Sequence, residues 1–212
     1  DRLYLNDGGG RFRKAEGALP PETQAGSRPA VADVNGDGRP DVFVGGRVVP
    51  FQYGVSPRSM LLVNDGRGGF TDETRRLAPA LERVGMVTDA AWSDVDGDGR
   101  PDLVVVGDWM AVTVCRNELT RGGGRLAPMA VPGLAGSEGW WNRVVAADLN
   151  GDGRPDFVLG NLGLNARLRA TAAEPARLYV KDFDGNGITE QILASYEGGK
   201  NYPVPLRDDL IK

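Results

Sequence analysis

Histidine is missing from this 212-residue chain, and cysteine occurs once, as Cys115. The first absence removes the usual general base, the Ser-His-Asp triad and histidine-ligated metals. The second rules out an internal disulfide, and the apolar run Ala111-Val112-Thr113-Val114-Cys115 marks Cys115 as a buried small hydrophobe. No apolar run reaches the roughly 20 residues that span a membrane as a helix. Basic charge is short as well: 25 Lys and Arg face 29 Asp and Glu, a formal charge of −4. That balance offers no general basic field for nucleic acid. Aromatic residues make up only 7%.

What the chain has in excess is glycine, 31 residues, beside 14 prolines. With 41% hydrophobic residues, this predicts a packed all-β chain of short strands joined by many turns. Self-similarity gives that class a definite form. DVNGDGRPDVFVGG starts at Asp33, DVDGDGRPDLVVVG at Asp94 and DLNGDGRPDFVLGN at Asp148, with a looser copy, DFDGNGITEQIL, at Asp182. A second motif runs in phase: LYLNDGGGRF from Leu3, LLVNDGRGGF from Leu61 and VTVCRNELTRGGGRL from Val112. Its Asn6, Asn64 and Asn117 precede the next acidic loop by 27, 30 and 31 residues.

Each unit therefore holds two hairpins. One is closed by the acidic loop, the other by an Asn-Asp-Gly-type turn tolerant of positive φ. Two hairpins make a four-stranded antiparallel sheet, and tandem sheets of about 50 residues are the pattern of β-propeller blades. The expected blades are a half blade at 1–25, two full blades at 26–78 and 79–135, and an irregular region at 136–212. This count of about three and a half is short of a closed ring and predicts part of a larger, seven-bladed type of propeller, with sheet faces exposed at both ends. Only 34 residues separate Asp148 from Asp182, too few for a blade, so the last acidic loop is assigned to later strands of the third blade.

The acidic loops carry the chemistry. Oxygen side chains fall at positions 1, 3, 5 and 9: Asp33, Asn35, Asp37 and Asp41; Asp94, Asp96, Asp98 and Asp102; Asp148, Asn150, Asp152 and Asp156. Position 7 offers the backbone carbonyl of Arg39, Arg100 or Arg154. In the looser copy Asp182, Asp184, Asn186 and Glu190 hold the side-chain places and Ile188 the carbonyl place. Six to eight oxygens at about 2.3–2.6 Å suit Ca²⁺. A helical EF-hand needs Glu at position 12, where Val44, Val105 and Leu159 stand, and Pro40, Pro101 and Pro155 oppose a helix. Mg²⁺ takes fewer protein ligands, and transition metals favour His or Cys. The four loops hold 13 of the 29 acidic residues, a crowding that repels itself unless a cation is bound. Three Ca²⁺ sites are expected, with the looser copy as a candidate fourth, and metal binding is expected to be coupled to folding.

At these residues the sequence resembles the FG-GAP/VCBS repeat propellers, whose calcium loops also occur in integrin α-subunits. VGGRVVP from Val44, VGMVTDAAWSDVDGDGRPDLVVVGDW from Val84 and GSEGWWNRVVAADLNGDGRPDFVLGNLGLN from Gly136 look like the bacterial secreted branch that often carries an ASPIC/UnbV domain. The resemblance implies an extracellular, periplasmic or outer-membrane-associated module serving adhesion or another interaction with a protein or glycan.

Outside the loops, Trp140 and Trp141, beside Glu138 and Asn142, are candidates for a platform under a sugar ring or peptide, as is Trp109; inter-blade packing is the competing use of such rings. Asp89, Asp108 and Glu138 read as solvated turn or strand-end residues, with no acid–base pair among them. A non-enzymatic, calcium-rigidified binding module is the favoured reading. A carbohydrate-active enzyme with catalytic residues elsewhere and a structural spacer in a surface protein are its competitors.

Overall fold

The computed structural model describes residues 1–121, 123–163, 168 and 170–205. It is built of antiparallel strands throughout. Strands β1 (Tyr4–Gly8) and β2 (Arg11–Lys14) form a hairpin. Strands β3 (Ala25–Ala32), β4 (Asp41–Val48), β5 (Met60–Asn64) and β6 (Phe70–Asp72) form a four-stranded sheet in sequential order. The next four repeat the plan: β7 (Met86–Ser93), β8 (Asp102–Met110), β9 (Thr113–Asn117) and β10 (Leu126–Met129). The degenerate second motif of the latter forms the β9–β10 hairpin.

Strand alternation explains why the blades stack. Successive side chains point to opposite faces of a sheet, so β8 divides its apolar run between two cores. Leu103 and Val105 join the core shared with the first blade, which contains Phe43 of β4 and Leu61 of β5. Val104 and Val106 join Val144 in the core on the other side. In the first blade, Val44, Met60 and Leu62 face away from Phe43 and pack with Leu19 and Phe70. Each fully buried Leu, Val or Phe contributes about 1.5–3 kcal/mol. The connection between the blades, helix α1 (Thr74–Leu77) and a 3₁₀ turn at Pro79–Leu81, buries Leu77, Ala78 and Leu81 in the shared core. Cys115 is buried there too, and burial pushes its thiol up to about 12.

Beyond the second blade the sheets thin out. Strands β11 (Gly139–Ala147) and β12 (Asp156–Asn161) form one hairpin, and the start of β11 also pairs with the end of β8 through Gly139↔Met110 and Trp140↔Asp108. That pairing links neighbouring units. On the far face of this hairpin the register partners Val145 and Val158 are 53% and 54% exposed, an open apolar face of the kind expected from an incomplete ring.

The assignment of the fourth acidic loop to the third blade needs correction. Strands β13 (Arg177–Lys181), β14 (Glu190–Glu197) and β15 (Lys200–Pro203) form their own three-stranded sheet, and the loop closes its first hairpin. Phe183 and Glu190 on either side of the loop hydrogen-bond each other, which favours this local pairing. The end of the 136–212 region, together with Leu164 and Asn165 of the motif from Gly136, lies outside the described residues.

Candidate metal centres

Each acidic loop connects the first two strands of a sheet and is wound by its own side chains. In the first, Asp33 Oδ1 accepts from the N–H of Gly36 (2.9 Å) and Asp37 (3.1 Å), and Oδ2 from Gly38 (2.8 Å). Asn35 Oδ1 accepts from Asp37 N–H, and Asp37 Oδ1 from Arg39 N–H, both at 2.9 Å. The same skeleton recurs at Asp94, Asp148 and Asp182. Gly38 at position 6 has φ 85°, in the left-handed region where glycine carries no Cβ penalty. The backbone donors favour charged carboxylate: those of Gly153 and Gly151 hold Asp148 below the ordinary aspartate range.

This arrangement converges acidic oxygens. Asp94, Asp96 and Asp102 each bring one oxygen to within 4.8 Å of the others, as do Asp182, Asp184 and Glu190. Oxygens on opposite sides of a Ca²⁺ ion lie roughly 5 Å apart, so the donor set fits that ion in chemistry and span. The first and third loops carry Asn35 and Asn150 at position 3, an amide oxygen where the others have an acid. The looser fourth copy thus matches the second in its acidic triad, Glu190 reaching further to replace the aspartate.

The loops differ in what surrounds them. In the two complete blades the position-9 acids, Asp41 and Asp102, are fully buried. Asp41 takes hydrogen bonds from Val34 N–H (3.2 Å) and Asn64 N–H (2.9 Å). Asp102 takes them from Val95 N–H (2.9 Å) and Asn117 N–H (2.7 Å). Burial, aided by neighbouring acids of each loop, raises both carboxyls despite these donors. Asn64 and Asn117 also donate side-chain N–H to the carbonyls of Pro40 and Pro101, at 3.1 and 3.0 Å. Asn117 reaches across the blade boundary to Val34 O (2.9 Å), and Arg121 to Gly36 O (3.1 Å). Between these loops lies a cleft of about 460 Å³ lined by Asp33, Asn35, Arg100, Leu119 and Arg121 among others.

The spacing of the Asn residues is legible in the sequence, but their partner is not. Asn64 and Asn117 each serve the acidic loop before them, not the one after. Arginines are the second feature missed: Arg39 pairs with Asp37 (2.6 Å), Arg116 with Asp96 (2.6 Å), and Arg100 and Arg116 with Asp98. Part of the expected self-repulsion is thereby offset. Burial tends to raise Asp98, yet the Arg100 backbone donor and both guanidinium groups hold it below the usual carboxylate range.

Trp109, Trp140 and Trp141 stand at the other end of the blades from the acidic loops. Trp141 donates Nε1–H to Ser137 O (2.8 Å) and packs in the second core. Trp109 and Trp140 meet edge to face with ring centroids 4.8 Å apart. Trp109 donates to Tyr53 Oη (3.1 Å), and Tyr53 donates to Asp108 Oδ2 (3.1 Å), which also binds Arg47 (2.8 Å). Trp109 has φ 60°, an uncommon backbone state for an aromatic residue that these contacts hold in place. Glu138 and Asn142 are exposed. Asp108 and Asp89 are not the solvated residues expected: Asp108 is locked between blades by Arg47 and Tyr53, and Asp89 is fully buried in β7.

Antiparallel four-stranded blades with an acidic loop between their first two strands define a β-propeller repeat module. The FG-GAP-like repeat model matches residues 1–44 and 94–159, and the chain belongs to that family. No curated protein matches the chain. No helix among the described residues is long and apolar enough to cross a membrane.

Proposed function

We propose that this propeller module binds Ca²⁺ in its four acidic loops and, rigidified by the ions, presents its opposite end to a protein or glycan partner outside the cytoplasm. The observation that carries this reading is the shared loop skeleton that converges the acidic oxygens within 4.8 Å at Asp94, Asp96 and Asp102 and again at Asp182, Asp184 and Glu190. Positions 1, 3, 5 and 9 supply side-chain oxygens, and the carbonyls of Arg39, Arg100, Arg154 and Ile188 complete each set. The bound ion supplies positive charge that relieves the crowding of acids and ties the two strands of each hairpin together.

An extracellular, periplasmic or outer-membrane location agrees with weak oxygen-only sites, which fill where calcium is abundant. A partner-binding end agrees with Phe51, fully exposed at φ 63° on the β4–β5 connection. Chelation tests the calcium reading: EDTA lowers the midpoint of thermal unfolding and added Ca²⁺ restores it. Replacing Asp94 and Asp98 with Ala removes one ion from the stoichiometry measured by calorimetry. An unmoved midpoint together with unchanged stoichiometry in that variant would overturn the reading.

A further inference from the structure

Arg28, Asp89 and Arg143 occupy one place in three successive units. Each stands five residues before the first acid of its loop, Asp33, Asp94 or Asp148. Each lies on the first strand of its sheet, and β7 packs directly against both β3 and β11. Each also sits at a break in register, between Gly26 and Pro29 in β3, Val87 and Asp89 in β7, and Trp141 and Arg143 in β11. Bulges re-aim side chains, and here they turn three charged groups toward one line where the inner strands meet.

The charges are arranged unequally. Asp89 is fully buried. Its Oδ2 accepts from Val144 N–H at 3.2 Å and lies 3.7 Å from a guanidinium nitrogen of Arg28 and of Arg143. Its Oδ1 is buried with no hydrogen-bond partner among the described residues. At 3.7 Å the arginines feel the carboxylate's charge without spending an N–H on it. Both side chains are 59% exposed, and neither donates a hydrogen bond among the described residues. The cluster holds two cations on one buried anion, with two planar donor forks unspent.

We propose that Arg28 and Arg143, gathered by Asp89, form a binding site for one oxyanion group of a ligand: a carboxylate, sulfate or phosphate. Paired guanidinium forks match such groups bidentately. One monoanionic group brings the cluster to neutrality. Asp89 is a positioning residue: it lies behind the arginines and offsets the repulsion between them. The site is independent of the acidic loops, so its failure leaves the calcium reading untouched.

Calorimetric titration of the folded protein with sodium sulfate and with glucuronate, against chloride at equal ionic strength, tests the proposal. At least one anion binds with one-to-one stoichiometry, and the better one shows whether a tetrahedral or a carboxylate group is preferred. Arg28→Gln and Arg143→Gln each weaken binding roughly tenfold, while calcium stoichiometry is unchanged. Arg28→Lys, which keeps the charge and loses the fork, falls between. Both arginines are exposed, so the single variants stay folded, which circular dichroism checks. Absence of binding beyond chloride, or binding that both Gln variants leave intact, overturns the proposal.

Discussion

The first two acidic loops and the last two share one backbone skeleton and differ in everything around it. The loops at Asp33 and Asp94 sit in complete four-stranded blades, where β5 or β9 brings an asparagine over the position-9 acid. The loops at Asp148 and Asp182 close hairpins without such an asparagine, and Asp156 and Glu190 are only half-buried. Arginine ion pairs serve the first two loops alone among the described residues. The turn is thus a local product of its own Asp, Asn and Gly, whereas the burial and bracing of its last ligand come from the second hairpin. Loops of nearly identical sequence are therefore preorganised to different degrees.

The largest expected break in that comparison is at asparagine. Asn117 is fully buried and its side chain bonds Val34 O, Pro101 O and Leu119 N–H. Asn117→Ala takes a partner from two buried backbone groups and one part-buried one and costs about 2–3 kcal/mol, since each buried group carries a penalty near 1 kcal/mol or more. Asn161, the last residue of β12 and at the end of its hairpin away from the acidic loop, is exposed, and among the described residues its side chain accepts from Gly163 N–H alone. Asn161→Ala costs less than about 0.5 kcal/mol. Urea unfolding measures both; equal losses would mean that the second hairpin braces nothing.

What could be read in the chain follows the range of the interaction. Spacings of one, three, five and nine specify the acidic turn because its hydrogen bonds span at most seven residues, as between Leu149 and Asp156. Blade stacking is legible for a similar reason: Leu103 to Val106 are apolar on both faces, so both must be covered. The partnership of Asn64 with Asp41 spans 23 residues and that of Asn117 with Asp102 spans 15, unequal distances because the β4–β5 connection is longer than the β8–β9 one. Only the strand pairing reveals them as equivalent. The same holds for Asp89: nothing local distinguishes a strand-end aspartate in water from one buried between arginines of neighbouring strands. The short interval before the fourth loop hides its own sheet, because β11 and β12 form a hairpin that needs less chain than a full blade.

A smaller effect separates the braced blade by pH. Arg58 bonds Asp72 and, at 3.3 Å, Glu82, while Thr74 Oγ–H also donates to Asp72. Burial tends to raise Asp72, but the Thr74 hydroxyl and Arg58 outweigh it and set the carboxyl below the ordinary aspartate range. A depressed folded value favours the ionised group in the native state. Its stabilisation is complete above the unfolded aspartate value, about 4, and is lost as pH falls through the lower folded value. Arg58→Gln flattens the acid limb of a stability-against-pH curve between about pH 4 and 2. An unchanged slope would show that Asp72 draws nothing from this pairing.

The smallest effect has the opposite sign to the loss expected of a broken ion pair. Arg116, 44% exposed, pairs with Asp96 and Asp98, which occupy the third and fifth ligand positions of the second loop. A guanidinium there substitutes for part of the metal's charge and competes with it. Arg116→Ala removes one of the two arginines paired with this loop and leaves Arg100 on Asp98, and the loop's Ca²⁺ affinity rises by a few-fold, the scale of an exposed ion pair worth about 0.2–1 kcal/mol. Raising the salt concentration shrinks the gain, because screening weakens the pairing that the substitution removes. Calcium titration of the variant at low and high ionic strength measures both parts. Weaker binding in the variant would instead show that Arg116 holds Asp96 and Asp98 in the geometry the ion needs, making the arginine part of the preorganisation that sets the first two loops apart.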